Sequence, residues 1–418
     1  MRDLHATLGS VFTTVREKAP RVERHHNLMT LPDEILSYII NLVCEDARER
    51  SIWVSGRNGV ERVVKTKLSL VSRRFRNVIV NTASLWAHID NRYCLAAGFD
   101  EWIERSKGLP LTLFIDFGVE SDGERQNILS RIMPIKDRCQ CLRARVDAKD
   151  AKEVPVAEFS AAESLELFFS GCSRSDWSRV FKKWTFPNVT SLRINEALPP
   201  PGIFPNVTTC TLFYDPGSLG VDNFSYERLL QMLTSMPQLR HLTVKFGGDD
   251  IPLPIDLVPV TLASVSTITL GDKLGIHKSR VSPRLGRILA SLTLPNVKDI
   301  HLRIIFTMSD APLLAWAHSI TPVSETLREV TSLTVEDSFG RSGLTRNTMY
   351  TLFALFRNIR RLELMTYRIL RTLRDLEENL ELNQLRTFIP RNQYAKPVKI
   401  EKGDLDKLTR YPDDVRIA

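Results

Sequence analysis

The chain has 418 residues, 43% hydrophobic and 25% charged, the composition of a soluble globular protein with room for two or three domains or for one small domain and a repeat array. Its 57 basic and 49 acidic residues leave a net charge of +8, which can steer an acidic partner but does not single out nucleic acid. No run approaches the roughly 18 apolar residues of a membrane span, and the first 30 residues lack the apolar core of a secretion signal, so neither a membrane nor an export route is expected.

Residues 1–29 are polar and charged, and read as a flexible N-terminal segment. A helical stretch then opens at Thr30-Leu31-Pro32-Asp33-Glu34-Ile35-Leu36. Thr30 can cap the helix, Pro32 suits its first turn, and Asp33 sits where a capping-box acid would sit. Ile35, Leu36, Ile39, Ile40 and Val43 follow at helical spacing. A polar insert, roughly 45–62, leads to a second apolar helix over 67–79, with Leu68, Val71, Phe75 and Val78 on one face. The stretch closes at Leu85-Trp86. One more short helix is expected between Asp100 and Lys107, ended by Gly108.

This order of features resembles the F-box. Leu31, Pro32, Glu34, Ile35, Val71, Ser72, Arg73, Phe75, Arg76, Leu85 and Trp86 fall on that family's pattern, with Phe75 where a tryptophan is commoner. The resemblance covers about 60 residues, a usual size for such a module. It implies a helical domain over 30–108 that docks on a Skp-family adaptor, itself held by a cullin scaffold. The implied adaptor contacts are Leu31, Pro32, Glu34, Ile35, Ile39, Leu68, Val71, Phe75 and Trp86.

From residue 109 the pattern changes. Leu111, Leu113, Ile115 and Phe117 alternate as one face of a strand. A loose repeat follows, apolar-x-x-apolar-x-apolar, often preceded by Pro-Asn or a similar pair. It is clearest at Pro187-Asn188, Pro205-Asn206, Pro237-Gln238 and Pro295-Asn296. The central apolar positions are Leu142, Leu165, Leu192, Cys210, Leu242, Ile268, Ile300, Leu333, Leu362 and Phe388. Their mean step is about 27 residues, inside the leucine-rich-repeat range, although single steps vary from 18 to 33. Helices fit between the strands at 176–184 (capped by Ser175), 226–236, 282–289, 312–320 (preceded by Asp310), 350–356 and 371–382. One strand-helix unit cannot bury its apolar face alone, whereas stacked neighbours bury it together.

The expected architecture is therefore α/β: a helical F-box-like module, then an irregular leucine-rich-repeat solenoid over 109–393, with a parallel sheet on the concave face and helices on the convex face. Residues 394–418 read as a cap or tail. Many such repeats carry Asn or Cys three residues after the last strand leucine. Here that place holds Ala197, Asp215, Gly247, Ile305, Ser338 and Tyr367, so no side-chain ladder is expected along that turn. Residues between the strand leucines project from the concave side. Arg193, Thr211, Thr243, Thr269, His301, Thr334 and Glu363 are small or mixed in charge, which suits a target protein but names none.

Catalytic and cofactor signatures are missing. There is no P-loop, no Gly-x-Ser-x-Gly elbow and no His-Glu-x-x-His, and the eight histidines show no metal-ligand spacing. The six cysteines are scattered, and Cys139-x-Cys141 without a second pair is a poor metal site. Buried thiols in a reducing compartment, cytoplasmic and/or nuclear, are expected, with no cofactor and no metal. Arg73, Arg74 and Arg76 read as a basic helix face, which the resemblance to the F-box implies would lie near an acidic adaptor. The aromatic platform of a single-strand nucleic-acid binder is lacking.

The pairing of the two modules resembles the leucine-rich-repeat F-box proteins, including those abundant in mushroom-forming fungi, on the junction at 104–113. It implies a non-catalytic substrate receptor of an SCF-type ubiquitin ligase. The second reading is a repeat scaffold for protein interaction outside ubiquitination, which the polar insert and Phe75 keep open.

Overall fold

Helix α1 (Asp33–Trp53) starts where the Pro32 carbonyl accepts the first helical bond, from Leu36 N at 3.0 Å. Pro32 thus sits just ahead of the first turn, where its missing N–H leaves nothing unpaired. Asp33 and Glu34 lie in that turn, favoured by the helix dipole. The structure, a computed structural model, describes residues 30–53, 60–90, 99–117, 129–148, 150–214, 225–247, 258–273, 288–305, 327, 329–337, 351, 355–356, 358, 361–365, 387–390 and 400–401. The chain divides into two compact units. The first holds the described residues up to Arg145 together with Phe159–Ala162, and the second holds Val146–Glu158 and the described residues from Glu163 onward.

In the first unit, α1 is followed by α2 (Val60–Ser69), α3 (Arg73–Asn81), α4 (Ala83–Trp86) and, after strand β1 (His88–Asp90), α5 (Phe99–Arg105). Helix α1 runs on through the start of the polar insert. The single helix expected over 67–79 is in fact two. Leu70 N bonds Lys67 O at 3.2 Å and Val71 N bonds Leu68 O at 3.1 Å, closing α2. Ser72 then turns extended and caps α3, its hydroxyl accepting from Phe75 N at 3.2 Å. The helical spacing of Leu68, Val71 and Phe75 runs straight across this break, but a serine whose oxygen reaches the backbone two or three residues on favours a helix start. Ser72→Ala is expected to destabilise the first unit by about 1 kcal/mol in chemical denaturation.

The core of this unit gathers Leu36, Ile40, Val43, Cys44, Val64, Leu68, Phe75, Val78, Ile79, Leu85 and Trp86, with Trp102 packed against it. Trp86 donates its indole N–H to Ile79 O at 2.8 Å and meets Trp102 edge-on at 5.4 Å. Lys65 is buried here. Its ammonium donates to Leu85 O and lies 4.6 Å from the Trp102 ring and 5.4 Å from the Trp86 ring, so cation–π attraction offsets part of its desolvation. Helix α5 ends through two left-handed residues, Lys107 (φ 49°) and Gly108 (φ 78°), the second of which only glycine adopts freely. Strands β2 (Leu111–Asp116) and β3 (Cys139–Asp147) follow, the latter entered from a 3₁₀ helix at Met133–Arg138. β1, β2 and β3 pair in parallel, with Ile89, Leu113 and Leu142 in register.

The second unit carries the repeats. Its elements are α6 (Asp150–Glu153), β4 (Ala157–Glu158), β5 (Ser164–Ser170), α7 (Arg174–Lys183), β6 (Trp184–Thr185), β7 (Ser191–Asn195), β8 (Thr209–Tyr214), α8 (Tyr226–Thr234), β9 (His241–Gly247), β10 (Val260–Thr261), β11 (Thr267–Lys273), β12 (Leu292–Thr293), β13 (Asp299–Ile305), β14 (Ser332–Asp337), β15 (Arg361–Met365), β16 (Thr387–Pro390) and β17 (Ile400–Glu401). The order β5-β7-β8-β9-β11-β13-β14-β15-β16 is parallel throughout, and β17 closes it antiparallel. The central positions read from the sequence fall in one line: Leu165, Leu192, Cys210, Leu242, Ile268, Ile300, Leu333, Leu362 and Phe388 are successive register partners. This is an α/β leucine-rich-repeat architecture with a parallel sheet.

Among the described residues the same turn precedes seven of these strands, the first before β5, where Ala162 N donates to Phe159 O at 3.1 Å. Val189, Val207, Leu239, Val265, Val297 and Val330 each donate their N–H to the apolar residue three places earlier, Phe186, Phe204, Met236, Leu262, Leu294 and Leu327. Both ends of every turn are buried. Proline at the second place suits the turn because its φ is preset. The asparagine beside it bonds to the preceding repeat: Asn206 Nδ2 donates to Pro187 O at 3.0 Å and Asn296 Nδ2 to Ala263 O at 2.7 Å. A side-chain ladder therefore does exist, in the turn before the strands rather than after them. A backbone ladder runs beside it, in which the carbonyls of Glu163, Thr190, Thr208, Arg240, Ser266 and Lys298 each accept from two consecutive N–H groups of the next repeat.

Helices cover one face of the sheet. Phe181 of α7 packs on Phe169 of β5 at 5.9 Å, and Tyr226 of α8 on Phe246 of β9 at 6.5 Å. The cap of α7 is Ser173, not Ser175. Ser173 N and Oγ both bond Asp176 Oδ2, at 3.0 and 2.6 Å, in a capping box. Helix α8 is capped by Ser225. Of the helix expected over 282–289, residues 288–290 are described and helical. The helices expected over 312–320 and 371–382, the N-terminal segment and most of 394–418 lie outside the described residues, as does most of 350–356.

Candidate functional site: an apolar helix end and a sheet face

In the first unit, Arg74 makes the decisive link. Its Nε and Nη2 donate to Asp33 Oδ1 at 2.8 and 2.6 Å, and Nη2 also donates to the Leu31 carbonyl. The start of α3 is thereby tied to the start of α1, 41 residues earlier in the chain. Arg74 is thus an internal clamp rather than part of a free basic face, while Arg73 and Arg76 remain exposed.

This clamp brings apolar side chains to one end of the helices that the core does not use. Ile35 is 47% exposed, Tyr38 61%, Leu70 70% and Val71 57%. Pro32 and Glu34 are exposed and Leu31 is half-buried. The other residues assigned to adaptor contact are placed elsewhere. Ile39, Leu68, Phe75 and Trp86 are buried, so they build the platform and cannot touch a partner without repacking. The physical reason is that a motif position records spacing, and both core and contact residues recur at helical spacing. Tyr38 and Leu70 escaped the sequence reading. Tyr38 sits three residues after Ile35, off the buried line of Leu36, Ile40 and Val43, which is the signal that identifies it.

In the second unit, the sheet face away from α7 and α8 carries no helix among the described residues. Arg193, Thr211, Thr243, Thr269, His301, Thr334 and Glu363 form one cross-strand row, successive partners in register. The first five are half-buried, and Thr334 is buried, so it supports the row without presenting a side chain. Of Glu363 only the register position is described. Glu166 continues the row beside Arg193. A second row was missed because the strands run one residue pair further than the leucine pattern implies. It holds Phe168, Asn195, Phe213, Lys245, Gly271, Arg303 and Glu336. Phe168 and Phe213 are half-buried, and the Arg193 guanidinium lies 6.0 Å from the Phe168 ring.

Among the described residues no group of three or more His, Cys, Asp or Glu could hold a metal ion, and no helix is long and apolar enough to cross a membrane. Burial pushes the Cys139 thiol up, and it pushes the Cys210 thiol up to about 12. Cys210 occupies a central leucine position and behaves as a small apolar residue. A thiol raised in the folded state contributes stability that is intact below its unfolded pKa of 9.0 and is lost as pH rises from there toward 12. Cys210 is therefore expected to resist alkylation at pH 8 in the native chain and to react in denaturant, as mass spectrometry of labelled peptides can read.

No protein-family description matches the chain, and no curated protein matches it. Among solved structures it is similar to one titled as the crystal structure of the Rad7 and Elc1 complex in yeast, at 12% identity over 83% of this chain and 91% of that chain, with a TM-score of 0.27. A likeness of that size says nothing about what this chain binds.

Proposed function

We propose that this chain is a non-catalytic substrate receptor of an SCF-type ubiquitin ligase: its F-box-like helices dock on a Skp-family adaptor bound to a cullin, and its sheet face holds a target protein. The observation that carries the reading is the exposed apolar set Ile35, Tyr38, Leu70 and Val71, which a soluble monomer has little reason to show together. Arg74 holds Leu31-Pro32 beside it, so the surface is ordered before any partner arrives, and little conformational entropy is lost on docking. The contribution to ubiquitination is positional. A target held on the sheet is brought to a high effective concentration near the conjugating enzyme, and this chain makes or breaks no bond.

The test is co-purification of the full chain with a Skp-family adaptor and cullin. The double substitution Leu31→Ala with Pro32→Ala is expected to remove the adaptor while leaving the buried core of the helices intact. Retention of the adaptor by that variant counts against this docking, and a clean purification of the native chain with neither adaptor nor cullin argues instead for a repeat scaffold outside ubiquitination.

A further inference from the structure

In the first unit the chain crosses between helices and sheet at two places. At the first, Ala87 alone stands between Trp86, the last residue of α4, and strand β1. Ala87 O accepts from Thr112 N of β2 at 2.9 Å, and β1 and β2 pair in parallel. The second crossing is the turn 106–109, between α5 and β2. Lys107 and Gly108 both have positive φ there, a conformation that strains a lysine and that leaves a glycine its freedom. By itself such a turn is a place where a chain can pivot.

Arg138, the last residue of the 3₁₀ helix, closes on this turn from 29 residues beyond Leu109. Its Nη2 donates to Ser106 Oγ at 2.6 Å and to Leu109 O at 2.9 Å, and its Nε donates to Leu109 O at 3.3 Å. The guanidinium thus grips both sides of the two left-handed residues. Ser106 is fully buried, and its hydroxyl donates in turn to Ile103 O at 2.6 Å, so the grip reaches into α5. Lys107 Nζ bonds back to the carbonyl of Asn81, the last residue of α3, at 3.5 Å. Arg131 Nη1 pairs with Asp100 Oδ2 of α5 at 3.6 Å. Both partners of the Arg138 guanidinium are neutral, so the residue is not placed to balance charge. A planar fork of donors serves the two groups at once, which an ammonium on a flexible stem does not.

We propose that Arg138 is a latch: it locks the turn 106–109 against pivoting and fixes helices α1–α5 on strands β1–β3 as one body. The use of the latch rests on the ligase reading given above. An adaptor docked on Ile35, Tyr38, Leu70 and Val71 is then carried in one direction relative to these strands. Arg138 is a positioning residue, since its bonds go to the turn and not to the docking set.

The test is hydrogen exchange of the full chain under native conditions, read by mass spectrometry on overlapping peptides. The Leu109 and Thr112 amides bond Ser106 O and Ala87 O, one at each crossing. Arg138→Ala is expected to speed their exchange about thirtyfold, while peptides of α3 and β3 change by less than about threefold. Ser106→Ala removes one of the two gripped groups and is expected to speed exchange at Leu109 about fivefold. Lys136→Ala is the control on the same 3₁₀ helix, its ammonium pairing with Asp137, and stays within about twofold. Equal acceleration throughout the unit makes Arg138 a contributor to overall stability only and overturns the latch, as does unchanged exchange at Leu109. Adaptor co-purification by Arg138→Ala is expected at the native level. Its loss would make Arg138 part of the docking surface and overturn the positioning role. Exchange needs no partner, so it decides the latch even where the native chain brings down no adaptor, and failure of the ligase reading is a separate result.

Discussion

Aspartate at both Ile35 and Val71 is expected to abolish co-purification with a Skp-family adaptor while the chain unfolds at an unchanged temperature. Both side chains are about half exposed, so the substitutions leave the core untouched. In a docked state each new carboxylate would be pressed against apolar partner surface. That costs about 2 kcal/mol or more per charge, and the pair then weakens binding on the order of a thousandfold. Trp86→Ala is the contrasting variant. It removes an indole that bonds Ile79 O, meets Trp102 edge-on, and lies under the Lys65 ammonium and the Arg105 guanidinium, the last at 4.6 Å. Its expected signature is lost stability, about 3–5 kcal/mol, with adaptor binding falling only as far as folding does. An Ile35/Val71 variant that still carries the adaptor would remove this surface from consideration.

Phe204→Ala is expected to lower the thermal midpoint of the second unit by roughly 10 °C. Phe204 closes one repeat turn, and its ring lies 6.0 Å from Phe181 of α7 and stacks 6.3 Å from Phe186 of the preceding turn. It is buried, and the neighbours are themselves clamped by Phe169 and Trp184, so the site cannot collapse to fill the void. The loss is about 3–5 kcal/mol. In a repeat array each unit is stabilised chiefly by its neighbours, so damage at one interface weakens the strands on both sides. A midpoint within about 2 °C of the native value, read by circular dichroism, would show that the Phe204 ring contacts are dispensable.

The repeats were legible to the residue. Ten central positions were read from alternation alone, and nine of them stand in a single register line, with Leu142 in register in the first unit. The helical region was legible as helices but not in its breaks. Val71 keeps helical spacing while the chain has already turned, and Ser173 and Ser175 are equally good caps until Asp176 bonds one of them. The second row of the sheet face was missed because strand ends carry no apolar signal once the core residues stop.

By itself, then, the sequence determined which residues face the core of the sheet, because a strand has a period of two and a one-residue slip would place every leucine in water. It also marked the turn before β7, β8, β9 and β13, since Pro with Asn or Gln beside it carries a backbone preference locally. Tertiary structure alone decided which motif residues are surface and which are core. It decided that Arg74 closes on Leu31 and Asp33 across more than forty residues, and which residues of neighbouring strands stand beside one another in register. Those outcomes depend on contacts between segments far apart in the chain, and no local pattern records where such segments meet.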